Sequence, residues 1–219
     1  MNTQDRDQMM SEAMAWFEQT DAVAQKLMKE QPDLHPVTAR VIAGDIMSAS
    51  RATQEVEAGV AATEAVHMVG SFVRWDWVVT MVRLGKIDEA WFAENICDLW
   101  RSADPDDTSV ENLRIWQTAR RANGGMIRDG KPFPKGKAVP VFRGGRPNTV
   151  SSGFAWTTDP KIARKFANGA GERIEIKGGI VIGGWAKPAD VLAYITLRGE
   201  SEVIINPHDV ADLRVVGAN

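Results

Sequence analysis

The sequence predicts an α+β protein in which an N-terminal helical bundle precedes a compact β-rich domain. From about residue 8 to 122, apolar residues recur at helical spacing and strand signals are scarce. The breaker-rich segment "GGMIRDGKPFPKG" (124–136) follows, and beyond it the apolar residues fall into short runs typical of strands. We therefore expect a helical domain over residues 1–130 and a β-rich domain over residues 131–219.

The N-terminal part contains five helix candidates. Apolar residues from Met10 to Leu27 outline the first, which the prolines of "QPDLHP" terminate. The second starts at Pro36 and runs to Val66 through an alanine-rich stretch suited to close packing, and "SFVRWDWVVTMVRLG" and "IDEAWFAENICDLWRS" follow it. The fifth lies in "DPDDTSVENLRIWQTARR", where Thr108 and Glu111 have the spacing of a capping box. Tryptophans at helical spacing in these segments are expected to belong to the core.

The C-terminal part contains five strand candidates and one further helix candidate. The strands are short apolar runs bounded by glycine, proline or aspartate: "AVPVFRGG", "GFAWTTD", "GGIVIGGW", "DVLAYITL" and "EVIINP". The segment "DPKIARKFA" lies between the second and third of them and has helical spacing. This pattern predicts a compact β-dominated part with one helix among its strands.

The composition is that of an ordinary globular chain, 44% hydrophobic and 25% charged. The formal net charge of -3 argues against a dedicated nucleic-acid or membrane-surface protein. It hides an asymmetry, because residues 1–135 carry 15 Lys+Arg against 21 Asp+Glu whereas residues 136–219 carry 11 against 8. Cys97 lies in an apolar stretch, so we expect a buried structural thiol and a reducing cytoplasm. We expect neither a secretory leader nor a membrane-spanning helix.

Several common sites lack their usual residue patterns. The histidines His35, His67 and His208 have no second ligand at metal spacing, so we expect no metal site. The phosphate-cradling, dinucleotide-binding and nucleophile-elbow motifs are also absent from the sequence. What remains is one strand-end arginine, a pair of threonines and a pair of glutamates.

The arginine and the glutamates have the chemistry of a binding site. Arg143 precedes Gly144 and Gly145, so the backbone there can approach a ligand while the guanidinium offers a planar fork to a phosphate or carboxylate. Glu200 and Glu202 are two apart, and residues two apart in a strand point to the same face. Like charges at that distance raise the proton affinity of at least one carboxylate. A solvated edge strand is the alternative.

Taken in order, "VFRGG", "GFAWTTDPKIARKFA" and "ESEVIINP" resemble the three signature segments of the ADP-ribosyltransferase superfamily, in its arginine-serine-glutamate branch of bacterial or phage type. The resemblance covers residues 139–209, about a third of the chain. It implies an ADP-ribosyltransferase-like domain that uses NAD as co-substrate, with Arg143 on the NAD phosphates. The Glu-x-Glu of the family would be Glu200-Ser201-Glu202.

The middle segment departs from the family pattern. Trp156, Thr157 and Thr158 stand where the family has Ser-Thr-Ser, so an indole replaces the serine that usually contacts the cofactor pocket. An indole can stack but offers a single N–H donor. Thr157 and Thr158 keep the hydroxyls, and plain β-propensity is the alternative reason for them.

The resemblance also implies contacts with NAD outside these strands. Phe166 stands where relatives carry an aromatic residue that stacks on nicotinamide, with core packing as the alternative. The segment "NGAGERIEIKGG" (168–179) would cover nicotinamide and phosphates, and Arg173 would contact a phosphate. Glu202 would stabilise the ribose cation, and Glu200 would orient and deprotonate the acceptor.

The resemblance implies a mono-ADP-ribosyltransferase that releases nicotinamide from NAD. Glutamate at position 200 resembles arginine-modifying members, so a protein arginine is the expected acceptor, with RNA, DNA and water left open. One alternative is a non-catalytic binding module that contacts a protein partner through its helical half. Another is that the helices shield the NAD cleft until a partner arrives.

Overall fold

The computed structural model describes residues 3–103, 105–169, 178–197, 199 and 201–218. The chain is α+β, with helices first and strands after them, which confirms the predicted class and order at this level. It divides into two compact units, Met1–Pro105 and Asp106–Asn219. Among the described helices, none has the length and apolar character needed to cross a membrane.

The first unit is helical. Its elements are α1 (Thr3–Glu30), α2 (Pro36–Glu57), the short α3 (Ala62–Ala65), a 3-10 turn (Val66–Met68), α4 (Ser71–Arg83) and α5 (Glu89–Ser102). The predicted second helix extended through residue 66, whereas α2 ends at Glu57 because Gly59 adopts φ +106. His35 and Asp88 cap the N-termini of α2 and α5 through side-chain acceptors.

Small residues and tryptophans form the interior of this unit. Ala24, Ala39 and Ala43 are buried together where α1 meets α2, so the alanine-rich sequence does allow close packing. The rings of Trp75 and Trp100 lie edge to face with their centroids 5.3 Å apart. These tryptophans are core residues, as predicted, and Cys97 is buried among the same helices.

The N-terminus of α4 is capped by α2. The Oδ2 atom of Asp45 accepts from the backbone N–H of Phe72 at 2.9 Å, and the Oγ atom of Ser48 accepts from the N–H of Gly70 at 3.0 Å. A Cβ atom at position 70 would collide with the Asp45 carboxylate. Glycine is therefore the residue that lets a cap from another helix reach this helix end.

The second unit contains a seven-stranded mixed sheet. Its elements are α6 (Val110–Ala122), β1 (Ile127–Asp129), β2 (Val139–Gly145), β3 (Ala155–Thr157), α7 (Pro160–Ala167), β4 (Ile180–Ala186), β5 (Val191–Ile195), β6 (Glu202–Ile205), a 3-10 turn (Pro207–Asp209) and β7 (Ala211–Ala218). The strand order is β1-β5-β6-β3-β2-β4-β7, and only β1 and β5 run parallel among the described pairs.

The observed division differs from the predicted one at residue 130. The second unit starts at Asp106, because α6 packs against β5 and β1 pairs with β5. The start of α6 also differs from the predicted capping box. Ser109 is the N-cap and accepts from the N–H of Asn112, because Asp106 engages the hydroxyl of Thr108 instead.

The two faces of the sheet bury different sets of residues. One face, here called the core face, carries Trp156 together with valines and isoleucines of β2, β4 and β6, chiefly Val141, Ile182, Val203 and Ile205. The other face, here called the α7 face, carries Phe142, which packs with Ala163 and Ala167 of α7. Side chains alternate along a strand, so each residue of β2, β3 and β6 points to one of these two faces.

Candidate functional site

The three motif strands are neighbours in the middle of the sheet. The segments that carry Arg143, Thr157 and Glu202 become β2, β3 and β6, which are adjacent in the order β6-β3-β2. Phe142 pairs with Thr157, and Thr157 pairs with Glu202. The three motifs are separated along the chain but lie side by side in the sheet.

Thr157 and Glu202 share the α7 face. Directly paired residues on antiparallel strands have side chains on the same side with Cβ atoms about 4.5–5.5 Å apart. Thr157 is buried, and its hydroxyl accepts from the N–H of Asp159 at 3.1 Å, whereas Glu202 is half-buried. Thr158 is also half-buried and continues the pairing, because its N–H donates to the carbonyl of Ser201 at 3.1 Å. A hydroxyl and a carboxylate thus stand together at the end of two strands.

The backbone before Glu202 is not a strand. The strand β6 begins at Glu202, and Ser201 has φ 49, in the left-handed region that non-glycine residues rarely adopt. The alternation rule that would place Glu200 and Glu202 on one face requires extended backbone at the residue between them. The rule therefore does not apply across Ser201, and Glu200 itself lies outside the described residues, so the shared face stays a prediction. A strained residue next to a candidate catalytic carboxylate is a feature of functional sites.

Arg143 belongs to the opposite side of the sheet from Thr157. It follows Phe142 in β2 and pairs with Ile182, a residue of the core face. Its Nη1 and Nη2 atoms contact the two carboxylate oxygens of Asp107, with Nη2 3.1 Å from Oδ1. The structure brings the strands of Arg143 and Glu202 together but not their side chains.

The remaining guanidinium donors bond to backbone. The Nε atom of Arg143 donates to the carbonyl of Val150 at 3.0 Å, and Nη1 also donates to the carbonyl of Ala155. The guanidinium lies against Gly153, where a Cβ atom would collide with it. The side chains of Arg143 and Asp107 are 17% and 23% exposed. The fork predicted to bind phosphates is therefore engaged within the chain, and a phosphate would have to replace Asp107.

Trp156 is a core residue. Its side chain is 2% exposed, and its Nε1 atom donates to the carbonyl of Gly153 at 3.0 Å. It faces away from Thr157 and supports β3 from the core face. Its single donor is thus used inside the protein, and the indole supplies packing at the position where the family has a serine.

The other predicted contacts lie on α7, at Gly144 and in the 168–179 segment. Phe166 is 37% exposed, so part of its ring is open to solvent. Gly144 lies under α7, because a Cβ atom there would collide with the carbonyl oxygen of Ala163. Helix packing thus accounts for this glycine. Arg173 and most of the 168–179 segment lie outside the described residues.

Asp107 is the site residue that sequence reasoning missed. In the sequence, Asp106 and Asp107 are a pair of acids just before a helix, a pattern that indicates a favourable interaction with the helix N-terminus. It gives no sign that Asp107 pairs with an arginine 36 residues away. Its backbone carbonyl also accepts from the N–H of Phe154 at 2.9 Å, so this residue links the start of the unit to β3. Comparison of the chain with protein-family models, curated proteins and solved structures found no match.

Proposed function

We propose that the second unit is an NAD-dependent mono-ADP-ribosyltransferase. The observation that carries the proposal is the pairing of Thr157 with Glu202 on β3 and β6, next to the β2 strand of Arg143. Three segments chosen from the sequence for their resemblance to one enzyme family are separated along the chain. Their adjacency in the sheet is what that resemblance requires.

The chemistry assigned to this pair is transfer at C1′ of the nicotinamide ribose. The bond from C1′ to the ring nitrogen breaks, and nicotinamide leaves as a neutral molecule with the bonding electrons. The acceptor nitrogen forms the new bond at C1′ and releases its proton. Positive charge develops on the ribose during this step, and a fixed carboxylate stabilises it. Glu202 is that carboxylate in the proposal, and Thr157 lies beside it on the neighbouring strand.

The test is nicotinamide release from NAD by the full chain and by Glu202→Gln. Removal of a preorganised electrostatic group costs on the order of 100- to 1,000-fold in turnover. We expect a loss of that size with NAD affinity retained, since Gln preserves the size of the side chain and one of its two acceptor oxygens. The proposal fails if the unaltered chain neither binds NAD nor releases nicotinamide.

A non-catalytic binding module is the second candidate, and a specific observation favours it. Arg143 is engaged by Asp107, and Trp156 is buried, so neither of these two family positions presents a free group to a cofactor. Such a module would release no nicotinamide under any condition and would keep its partner in Glu202→Gln. The same variant therefore separates the two candidates.

A further inference from the structure

The outer surface of α7 is basic and carries an exposed aromatic ring. Lys161, Arg164 and Lys165 are exposed, and none of them forms an ion pair with another described residue. They are spaced at i, i+3 and i+4, so they form one stripe with Cβ atoms about 5–6 Å apart. At about 100° per residue, Phe166 lies between that stripe and the buried stripe of Ala163 and Ala167. The helix contains no acidic residue.

This surface lies beside the proposed reaction site. The opposite stripe of α7, Ala163 and Ala167, is buried with Phe142 on the α7 face of the sheet. Thr157 is paired with Phe142, and Glu202 with Thr157, on the same face. The cations of α7 therefore project into solvent on the side of the sheet that holds the candidate catalytic carboxylate.

The charge of the second unit points to an anionic partner. Residues 106–219 carry 17 Lys+Arg against 12 Asp+Glu, net +5, while residues 1–105 carry 9 against 17, net -8. A net positive unit attracts polyanions and repels the cationic arginine side chains that the family resemblance favours as acceptors. Lysines and arginines next to an exposed aromatic ring are the elements of single-strand nucleic-acid surfaces, where cations contact phosphates and bases stack on the ring.

We propose that the surface formed by Lys161, Arg164, Lys165 and Phe166 binds single-stranded nucleic acid. The three cations contact consecutive phosphates, and Phe166 stacks on a base. Binding of nucleic acid to this surface does not depend on the proposed enzymatic function. Its role in presenting a base nitrogen as the ADP-ribose acceptor rests on that function, and the base then loses one proton as nicotinamide leaves.

The binding test uses fluorescein-labelled 12-nucleotide DNA and RNA of one sequence, titrated with the full chain between 50 and 200 mM NaCl. Three phosphate contacts to a single strand predict a slope of about -2 when the logarithm of the association constant is plotted against the logarithm of the NaCl concentration. The variant Lys161→Gln/Arg164→Gln/Lys165→Gln should remove most of this slope and weaken binding about tenfold or more at 50 mM. Phe166→Ala should weaken binding about tenfold without changing the slope, because it removes stacking and no charge.

A matched control separates a local site from general charge. Lys131, Lys135 and Lys137 are also exposed and lie in the same unit, so changing all three to Gln removes the same charge elsewhere. This control should stay within about twofold of the unaltered chain, and all variants should retain their thermal unfolding midpoint. Equal losses in the two triple variants, or no binding to either oligonucleotide, would overturn the surface. A preference for DNA or RNA decides which strand is the natural ligand.

The acceptor role is tested with NAD labelled in its adenylate, offered together with the oligonucleotide or with an arginine-rich peptide. Label in the oligonucleotide, lost in the α7 triple variant, supports the role. Label in the peptide alone overturns it while leaving the proposed transferase intact. Absence of nicotinamide release with both acceptors counts against the transferase and leaves the binding measurements to decide the surface.

Discussion

At the scale of single residues, the decisive contact is the pairing of Arg143 with Asp107. The sequence identified Arg143 as the strand-end cation, and the resemblance assigned it to phosphate. The sequence could not show that the carboxylate of Asp107, at the start of the second unit, contacts both Nη atoms of Arg143. The partner is invisible in the sequence because contacts between residues far apart leave no local pattern. The left-handed backbone of Ser201 was hidden for a different reason, since serine has no preference for that region.

Asp107→Asn separates a phosphate-binding Arg143 from a purely structural one. The variant removes the competing charge but keeps a hydrogen-bonding oxygen. If the guanidinium binds the NAD diphosphate, we expect about tenfold tighter NAD binding, equivalent to ~1.4 kcal/mol of competition removed. The free energy of unfolding should fall by about 1–3 kcal/mol, because a charge-assisted bond is lost. Calorimetric titration with NAD and urea unfolding measure the two effects.

The exposed Asp209 provides the control for that experiment. Asp209→Asn makes the same change in charge, and its effect on NAD affinity and stability should be close to zero. Unchanged NAD binding in Asp107→Asn together with the stability loss would assign Arg143 to holding β2 and β3 together. That outcome would remove the arginine from the NAD contacts while leaving Glu202 in place.

At the scale of elements, the position of α7 depends on two glycines. A Cβ atom at Gly144 would collide with the carbonyl oxygen of Ala163, and one at Gly179 with that of Ala167. The helix therefore rests on the backbone of β2 and on the residue before β4. The sequence predicted this helix and these strands from spacing and breakers. It did not predict their closeness, because a glycine at a strand end indicates a ligand as readily as a helix.

Gly144→Ala should lower the free energy of unfolding by roughly 1–3 kcal/mol, because backbone atoms of α7 cannot move away as a side chain can. The adjacent Gly145 is the matched control, since its nearest neighbour to an added Cβ is Val150 Cγ2 at 3.6 Å, an ordinary contact. Gly145→Ala should cost less than about 1 kcal/mol. Denaturant unfolding of both variants gives the comparison, and equal losses would contradict the close approach of α7.

A similar pair of glycines tests the helical unit. Gly44 lies inside α2 with no atom near an added Cβ, so Gly44→Ala should stabilise the unit by up to about 1 kcal/mol. Gly70→Ala should destabilise it by about 1–2 kcal/mol, because the methyl group displaces the Asp45 cap of α4. Thermal unfolding measured by circular dichroism reports both signs. A loss of stability in Gly44→Ala would contradict the open surroundings of that residue.

At the scale of the whole molecule, the order of helices and strands was predictable and the division into units was not. Hydrophobic period distinguishes a helix from a strand, so the α+β class follows from the sequence. The boundary was assigned to the glycine-rich segment around residue 130, but α6 and β1 belong with the sheet because they contact β5. Breaker residues indicate a turn in the chain without indicating whether a domain ends there.

Two fragments test this division. A fragment of residues 106–219 should unfold cooperatively, because it keeps α6, β1 and the Asp107 partner of Arg143. A fragment of residues 130–219 lacks all three and should show no cooperative thermal transition. Cooperative unfolding of the shorter fragment would contradict this requirement. If the helical unit shields the NAD cleft, the longer fragment should release nicotinamide faster than the full chain.

The ion pair between Arg143 and Asp107 also has a consequence for how the sequence can change over generations. Loss of either residue leaves the other partly buried with an uncompensated charge, so a single substitution is costly while a joint substitution is tolerated. The two positions should therefore covary among descendants of a common ancestor: chains that replace the arginine should also have replaced the acid. A double-mutant cycle with Arg143→Ala and Asp107→Ala measures the same dependence in one protein. The double variant should lose less stability than the sum of the losses in the two single variants.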